Sequence, residues 1–132
     1  MLAHPLVSLV DDDESVRESL PDLLREFGFA VRAFASPGEF LDSGVIGQTR
    51  CLILDVAMPD MTGPELQREL VRLRYDIPVV FITAQEDATV RPRMLAQGAV
   101  DCLFKPFSEQ ALLTALNAAL VSNQAIAFGA NG

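Results

Sequence analysis

Hydrophobic residues along this chain fall into short runs that alternate with longer amphipathic stretches. Runs this short, bounded by polar and turn-forming residues, are typical of buried β-strands. The predicted strands are residues 6–10, 30–35, 51–54, 79–82 and 100–104. Between and after them, hydrophobic residues recur every three or four positions, as they do on one face of a helix. The pattern therefore predicts strand–helix units in strict alternation.

Strict alternation of strands and helices is typical of a parallel sheet that is covered by helices on both faces. The strands are continuously apolar rather than alternating, which fits burial on both sides. A chain of 132 residues has room for one such domain. We place the domain at residues 1–123 and interpret residues 124–132 as a loose tail or the start of a linker. The expected fold class is a single α/β domain with a doubly wound parallel sheet, strand order 2-1-3-4-5.

The charge balance narrows the possible partners. Ten basic and 18 acidic residues give a net charge of −8 and a pI near 4.4, which disfavours direct binding to nucleic acid phosphates or to an anionic membrane. No apolar run reaches the roughly 18 residues that cross a bilayer, and the first ten residues lack the basic start of a signal peptide. Two cysteines and one histidine are too few for a closed zinc site. We therefore expect an acidic cytoplasmic protein without membrane contact.

Polar residues stand at the carboxyl ends of four predicted strands. Asp11 and Asp12 follow the first strand, Asp55 the third, Thr83 the fourth and Lys105 the fifth. In an open parallel sheet, ligands bind in the crevice outside these strand ends, where the strand order reverses. The order 2-1-3-4-5 puts that point between the first and third strands. The aspartates should therefore face one another there, with the threonine and the lysine beside them.

Three neighbouring carboxylates repel one another unless a cation lies between them. An all-oxygen ligand set without histidine or thiolate selects a hard ion, above all Mg²⁺. A carboxylate beside that ion, a lysine and a hydroxyl is suited to accept a phosphoryl group, whose charge the cations would neutralise. Each residue alone has an ordinary interpretation, since strand-end aspartates are often turn formers or helix caps. Their placement at one edge of the sheet favours the functional interpretation.

Four motifs resemble those of two-component response-regulator receiver domains, a CheY-like family with a flavodoxin-like (βα)5 fold. The motifs are LVDDD at residues 9–13, LDVAMPDMTG at 54–63, ITA at 82–84 and FKPF at 104–107. They occur in the family's order and spacing, and the resemblance covers about residues 5–122. Residues 58–63 and 98–101 are also similar to the FixJ-like branch, whose receivers precede a LuxR-type DNA-binding domain.

The resemblance implies a phosphoacceptor and a metal site. Asp55 would take a phosphoryl group from the histidine of a sensor kinase. Mg²⁺ would be bound directly by Asp12 and Asp55, by the backbone carbonyl of Ala57, and by Asp11 through a water. The chain would then be a regulatory phosphoacceptor that assists its own Mg²⁺-dependent phosphorylation and dephosphorylation, and not an enzyme for a separate substrate.

The resemblance also implies how phosphorylation changes the conformation of the domain. Lys105 would pair with the acidic cluster and then with phosphate, and Thr83 would swing in to donate its hydroxyl to a phosphate oxygen. In the family an aromatic residue three positions before the lysine moves with this threonine, but here that switch position is Cys102. Because Cys102 is too small to displace its neighbours, we expect the signal to travel through residues 83–87 and the helix start near Pro92. Pro21 should bend or weaken the first helix.

The leading functional hypothesis is control of transcription. The partners would be a sensor histidine kinase and, after phosphorylation, a second copy of the chain, with DNA contacted only through a missing C-terminal domain. A stand-alone receiver that acts in a phosphorelay or on a protein partner is the alternative. A third hypothesis is a Mg²⁺-dependent phosphohydrolase with Asp55 as nucleophile, but such enzymes usually need an aspartate where this chain has Ala57.

Two local expectations concern a peptide bond and the thiols. The Lys105–Pro106 bond should be cis, as the resemblance to the family's Lys-Pro motif implies. Cys51 and Cys102 should remain unpaired, because they belong to the third and fifth strands. Two strand spacings separate them by roughly 9–10 Å, beyond the ~7 Å that a disulfide can span.

Overall fold

Five parallel strands form the centre of the domain in the predicted order. The computed structural model describes residues 4–84 and 87–131, with side chains described as far as Val121. The strands are Leu6–Val10 (β1), Ala30–Phe34 (β2), Thr49–Asp55 (β3), Val79–Thr83 (β4) and Asp101–Phe104 (β5). They pair in parallel in the order β2-β1-β3-β4-β5, which confirms the doubly wound α/β fold.

Helices connect the strands. They are Glu14–Glu26 (α1), Pro37–Leu41 (α2), Gly63–Arg72 (α3), Val90–Ala96 (α4) and Glu109–Asn131 (α5), with a 3₁₀ turn at Ile46–Gln48. Pro21 lies inside α1 without ending it. Pro92 lies in the first turn of α4, where its missing N–H would have no helical partner in any case. Among the described residues, no helix is both long and apolar enough to cross a membrane.

The last helix continues beyond the predicted end of the domain. The sequence predicts a loose tail or the start of a linker from residue 124, whereas the backbone is helical as far as Asn131. Residues 109–131 contain no proline and many alanines and leucines, which favour continuation of a helix already begun. The domain boundary at residue 123 and the role of the segment after it stay predictions.

Two hydrophobic cores lie on opposite faces of the sheet. Along β3, Leu52 and Leu54 belong to the core under α2, α3 and α4, while Cys51 and Ile53 belong to the core under α1 and α5. All four side chains are fully buried. Because both faces of this strand are covered, its sequence is an uninterrupted apolar run. Polar chemistry is thereby left to the ends of the strands.

The two cysteines lie on different faces of the sheet. Cys51 belongs to the α1/α5 core and Cys102 to the core under α2, α3 and α4, and both are free thiols. β4 separates their strands, as the sequence predicts. Burial raises the pKa of the Cys51 thiol to about 12 and is also the main cause that raises the pKa of Cys102.

We expect both thiols to resist alkylation in the folded protein at neutral pH. The thiolate is the reactive form, and burial keeps Cys51 and Cys102 protonated and out of contact with the reagent. Mass spectrometry after treatment with iodoacetamide should detect no added group on the folded chain and two on the denatured chain. Rapid modification of the folded chain, or an intramolecular disulfide, would contradict the placement of the two strands.

Candidate functional site

The carboxyl ends of the strands carry the polar residues singled out in the sequence. β1 and β3 reach their ends in step, so that Asp11 and Asp55 come together. Thr83, the last residue of β4, lies one position beyond the partner of Asp55. Lys105 follows β5, and its N–H donates to the Thr83 carbonyl at 2.8 Å. The Lys105–Pro106 peptide bond is cis, as predicted. The fold thus brings these four residues to one edge of the sheet.

Asp11 is completely buried, and each of its polar groups has a partner. Its N–H donates to the Phe34 carbonyl at 3.1 Å, and its carbonyl accepts from the Arg17 guanidinium at 2.9 Å. Its Oδ1 accepts from the N–H of Asp13 at 2.9 Å, and its Oδ2 accepts from the Lys105 ammonium at 2.8 Å. Pairing and hydrogen bonding of this kind make a buried carboxylate tolerable. Asp11 is therefore held in one orientation.

The negative charge of the Asp55 carboxylate is only partly neutralised by nearby positive charge. The residue is 6% exposed, and the Lys105 Nζ is 3.9 Å from its Oδ1 but 2.8 Å from Oδ2 of Asp11. Burial, followed by the negative charge of Asp11, raises the pKa of Asp55 to about 7, while the ammonium of Lys105 acts in the opposite direction. A further cation beside Asp55 would therefore stabilise its ionised form.

Three carboxylates at this edge have the spacing of a cation site. Asp11, Asp12 and Asp55 each offer one oxygen, and these oxygens all lie within 4.8 Å of one another. Asp12 is exposed, so the group is accessible to solvent. The next carboxylate along the chain, Asp13, serves the helix instead, because it caps α1 by accepting from the N–H and the hydroxyl of Ser15 at 2.9 and 2.7 Å.

The donor set fits Mg²⁺ rather than a softer metal. The three side chains offer only carboxylate oxygens, which hard divalent ions prefer. The Lys105 ammonium lies beside Asp11 and Asp55, and the pKa of Asp55 is still raised, first by burial and then by the negative charge of Asp11. Both Asp11 oxygens already accept protein hydrogen bonds, which favours contact with an ion through water. Ala57 is exposed and has only its carbonyl to offer; that ligand stays a prediction.

α3 begins directly against Asp55, and the glycine at its first position makes this approach possible. Thr62 caps the helix in a capping box with Glu65, whose reciprocal hydrogen bonds measure 3.2 and 2.8 Å. A Cβ on Gly63 would overlap the carbonyl oxygen of Asp55 and lie 2.9 Å from the Phe81 ring. The motif at residues 54–63 includes this glycine, but local pattern does not show what it contacts.

The two predicted switch residues are both buried. Thr83 is fully buried at the end of β4. Cys102 packs in the core beneath α4, which also contains Val90 and Met94 of that helix. Phe104, two positions further along β5, is partly buried against the same core. The structure therefore places a small thiol beneath α4 and an aromatic ring at the end of the strand, and the switching roles stay predictions.

Comparison with known families decides the family of this chain. Residues 7–117 match the family model of the response regulator receiver domain. The chain belongs to this family. This receiver is similar to Nodulation protein W of Bradyrhizobium diazoefficiens, with 46% identity over 114 residues that make up 86% of this chain and 50% of the relative. It is 39% identical over 114 residues to the transcriptional regulatory protein FixJ of Azorhizobium caulinodans, covering 86% of this chain and 54% of FixJ.

Solved structures give the same fold for the receiver. The structure of the response regulator StyR superposes on this chain with a TM-score of 0.87 and 44% sequence identity. The superposition covers 98% of this chain and 65% of the StyR chain. The receiver spans about half the length of the curated relatives described above. It is thus similar to one part of proteins that contain more than a receiver.

Arg17 makes a contact at the receiver site that the sequence pattern does not predict. Arg17 lies four positions after Asp13, the N-cap of α1, and so one helical turn beyond it. A long side chain at this position can reach back to the end of β1. The spacing from the cap is the only sequence signal for that contact, and it is weak because most arginines on a helix are solvated.

Proposed function

We propose that this receiver accepts a phosphoryl group on Asp55 and thereby carries a two-component signal. The main support is the environment of the Asp55 carboxylate. Asp55 is 6% exposed, its carboxylate lies 3.9 Å from the Lys105 ammonium, and it is grouped with two further carboxylates. A carboxylate oxygen forms a bond to phosphorus as the bond between phosphorus and the donor's imidazole nitrogen breaks. The nitrogen keeps that electron pair, and the product is an aspartyl phosphate.

The acidic group would hold Mg²⁺ through its oxygens. Asp12 and Asp55 would bind the ion directly, Ala57 through its backbone carbonyl, and Asp11 through a water, because its own oxygens are occupied. The ion supplies positive charge that neutralises the phosphoryl oxygens.

Two side chains of the receiver would then stabilise the phosphorylated form. Lys105 can exchange its partner without leaving the site, because its ammonium lies within 3.9 Å of both Asp11 and Asp55. Thr83 would donate its hydroxyl to a phosphate oxygen. This role is supported by its position on the strand beside Asp55, one residue beyond the pairing partner.

A groove beside the site fits the approach of a sensor histidine kinase. It has a volume of about 650 Å³ and lies between α1 and the loop that leads to α5. Its lining combines the apolar side chains of Val16, Leu20 and Phe107 with polar ones, among them Lys105, which borders the acidic group. A groove with both kinds of side chain suits an amphipathic helix that presents its histidine to Asp55.

For the whole protein we propose control of transcription. The support is the similarity to FixJ of Azorhizobium caulinodans, a transcriptional regulatory protein that is 39% identical to this chain over 114 residues. Because the receiver itself carries a charge of −8, contact with DNA would need a separate, more basic domain. A phosphorylation-promoted contact between two receivers would transmit the signal.

The proposed chemistry is tested by labelling with a small phosphodonor. Acetyl phosphate with Mg²⁺ should add one phosphoryl group, and peptide mapping should place it on Asp55. Chelation of the metal with EDTA should prevent labelling, because the carboxylates would then repel the anionic donor. Equal labelling in EDTA, or labelling at a different residue, would reject the proposal.

A further inference from the structure

Arg17 donates two hydrogen bonds to the segment between β1 and α1. Its N–H donates to the Asp13 carbonyl at 3.2 Å, as expected within the first turns of a helix. Its Nη1 donates to the carbonyl of Asp11 at 2.9 Å. The side chain is half-buried and runs from α1 back to the end of β1. It therefore spans the loop that carries Asp12.

The bond to the Asp11 carbonyl restricts the residue that follows. The carbonyl of Asp11 and the N–H of Asp12 belong to one planar peptide unit. The N–H of Asp11 and both its carboxylate oxygens are held by other groups, so Arg17 supplies the partner of the remaining polar atom. Without it, the carbonyl of a fully buried residue would lose this donor, and the peptide unit would be less restrained.

We propose that Arg17 is a positioning residue that sets the direction of the Asp12 carboxylate through this peptide unit. Asp12 is the exposed member of the acidic group. Protein does not enclose it as it encloses Asp11, so the direction of its carboxylate depends on its backbone as well as on its contact with Asp55. Arg17 contacts the backbone carbonyl of Asp11 and not a carboxylate, so in the proposed site it would touch neither the ion nor the phosphoryl group. The inference rests on the proposed Mg²⁺ site and adds to it a residue that orients one ligand.

The test compares two arginines of the same helix. Arg17→Met removes the donor and keeps the apolar length of the side chain. Arg25→Met removes the same charge from a surface position, where the side chain is 58% exposed and pairs with Asp22 at 3.2 Å. The Mg²⁺ dissociation constant of the full chain is obtained from melting temperatures over a series of Mg²⁺ concentrations. Melting in EDTA reports separately on the stability of the fold.

The expected result is a dissociation constant about tenfold higher or more in Arg17→Met and unchanged in Arg25→Met, since partners that orient ligands typically contribute on the order of 10–100-fold to metal affinity. A lower melting temperature in EDTA with normal Mg²⁺ affinity would mean a merely structural role and would overturn the inference. An equal loss of affinity in both variants would also overturn it, because it would be an effect of net charge.

A second variant covers the case in which Arg17→Met does not fold. Arg17→Gln keeps a polar side chain that is too short to reach the Asp11 carbonyl, so weaker Mg²⁺ binding in this variant supports the inference and wild-type binding overturns it. If the wild-type chain itself binds no Mg²⁺, the proposed function fails, and this inference fails with it. If the wild type binds Mg²⁺ and the variants bind equally well, only the role of Arg17 is rejected.

Discussion

Replacing Asp55 with asparagine is expected to abolish labelling by acetyl phosphate and to raise the stability of the metal-free chain. An amide of the same shape has no anionic oxygen to attack phosphorus. It also removes a carboxylate whose ionised form is disfavoured by burial and by the charge of Asp11. Intact mass with Mg²⁺ should show no phosphoryl group. Urea unfolding in EDTA at pH 8, where the wild-type carboxylate is ionised, should give a larger free energy of unfolding for the variant.

Asp60→Asn provides the matched control for this substitution. Asp60 is exposed and has a φ of 68°, a conformation that asparagine adopts as readily as aspartate. Its replacement makes the same chemical change five positions away and should leave both labelling and stability at wild-type values. Substantial phosphorylation of Asp55→Asn would mean that another residue is the acceptor. A lower free energy of unfolding of metal-free Asp55→Asn than of the wild type would mean that Lys105 neutralises the Asp55 charge more fully than the distances suggest.

Replacing Gly63 with alanine is expected to destabilise the domain by about 3 kcal/mol, because overpacking against groups that cannot move is among the more costly core changes. The added Cβ would overlap the backbone carbonyl oxygen of Asp55 and press on the ring of Phe81. Relief requires α3 to move away from β3, which would also displace the acceptor. A melting temperature lower by roughly 10 °C and slower labelling of Asp55 are the measurements that check this.

Gly38→Ala separates this steric effect from the general effect of adding a methyl group at the start of a helix. Gly38 lies in α2, and a Cβ there would meet only the Ser36 hydroxyl, at 3.9 Å. Alanine should be neutral or stabilise the chain by up to about 1 kcal/mol, since it restricts the unfolded state. A Gly63→Ala variant as stable as Gly38→Ala would show that α3 can shift at little cost.

Much of the fold could be predicted because strand and helix periods are local properties. The predicted strands at 6–10 and 79–82 agree with β1 and β4 to within one residue. β3 begins two residues before the predicted 51–54, at the polar Thr49, and ends one residue after it, at Asp55. The Thr49 hydroxyl is buried against that of Ser8 at 2.7 Å, across 41 positions of sequence. A pattern read over a few residues cannot show such a pairing.

The functional site likewise has features that the local sequence pattern predicts and features that depend on long-range contacts. The strand positions of Asp11, Asp55, Thr83 and Lys105 follow from the local hydrophobic pattern, and parallel strands bring their ends to one edge of the sheet. How these four residues are held depends on contacts between elements that lie far apart in the sequence. Both carboxylate oxygens of Asp11 accept hydrogen bonds, and Arg17 donates a hydrogen bond to the Asp11 carbonyl. The first residue of α3 packs against the backbone of Asp55. These contacts join separate elements at distances of a few ångströms, which packing sets and no periodicity of the chain encodes.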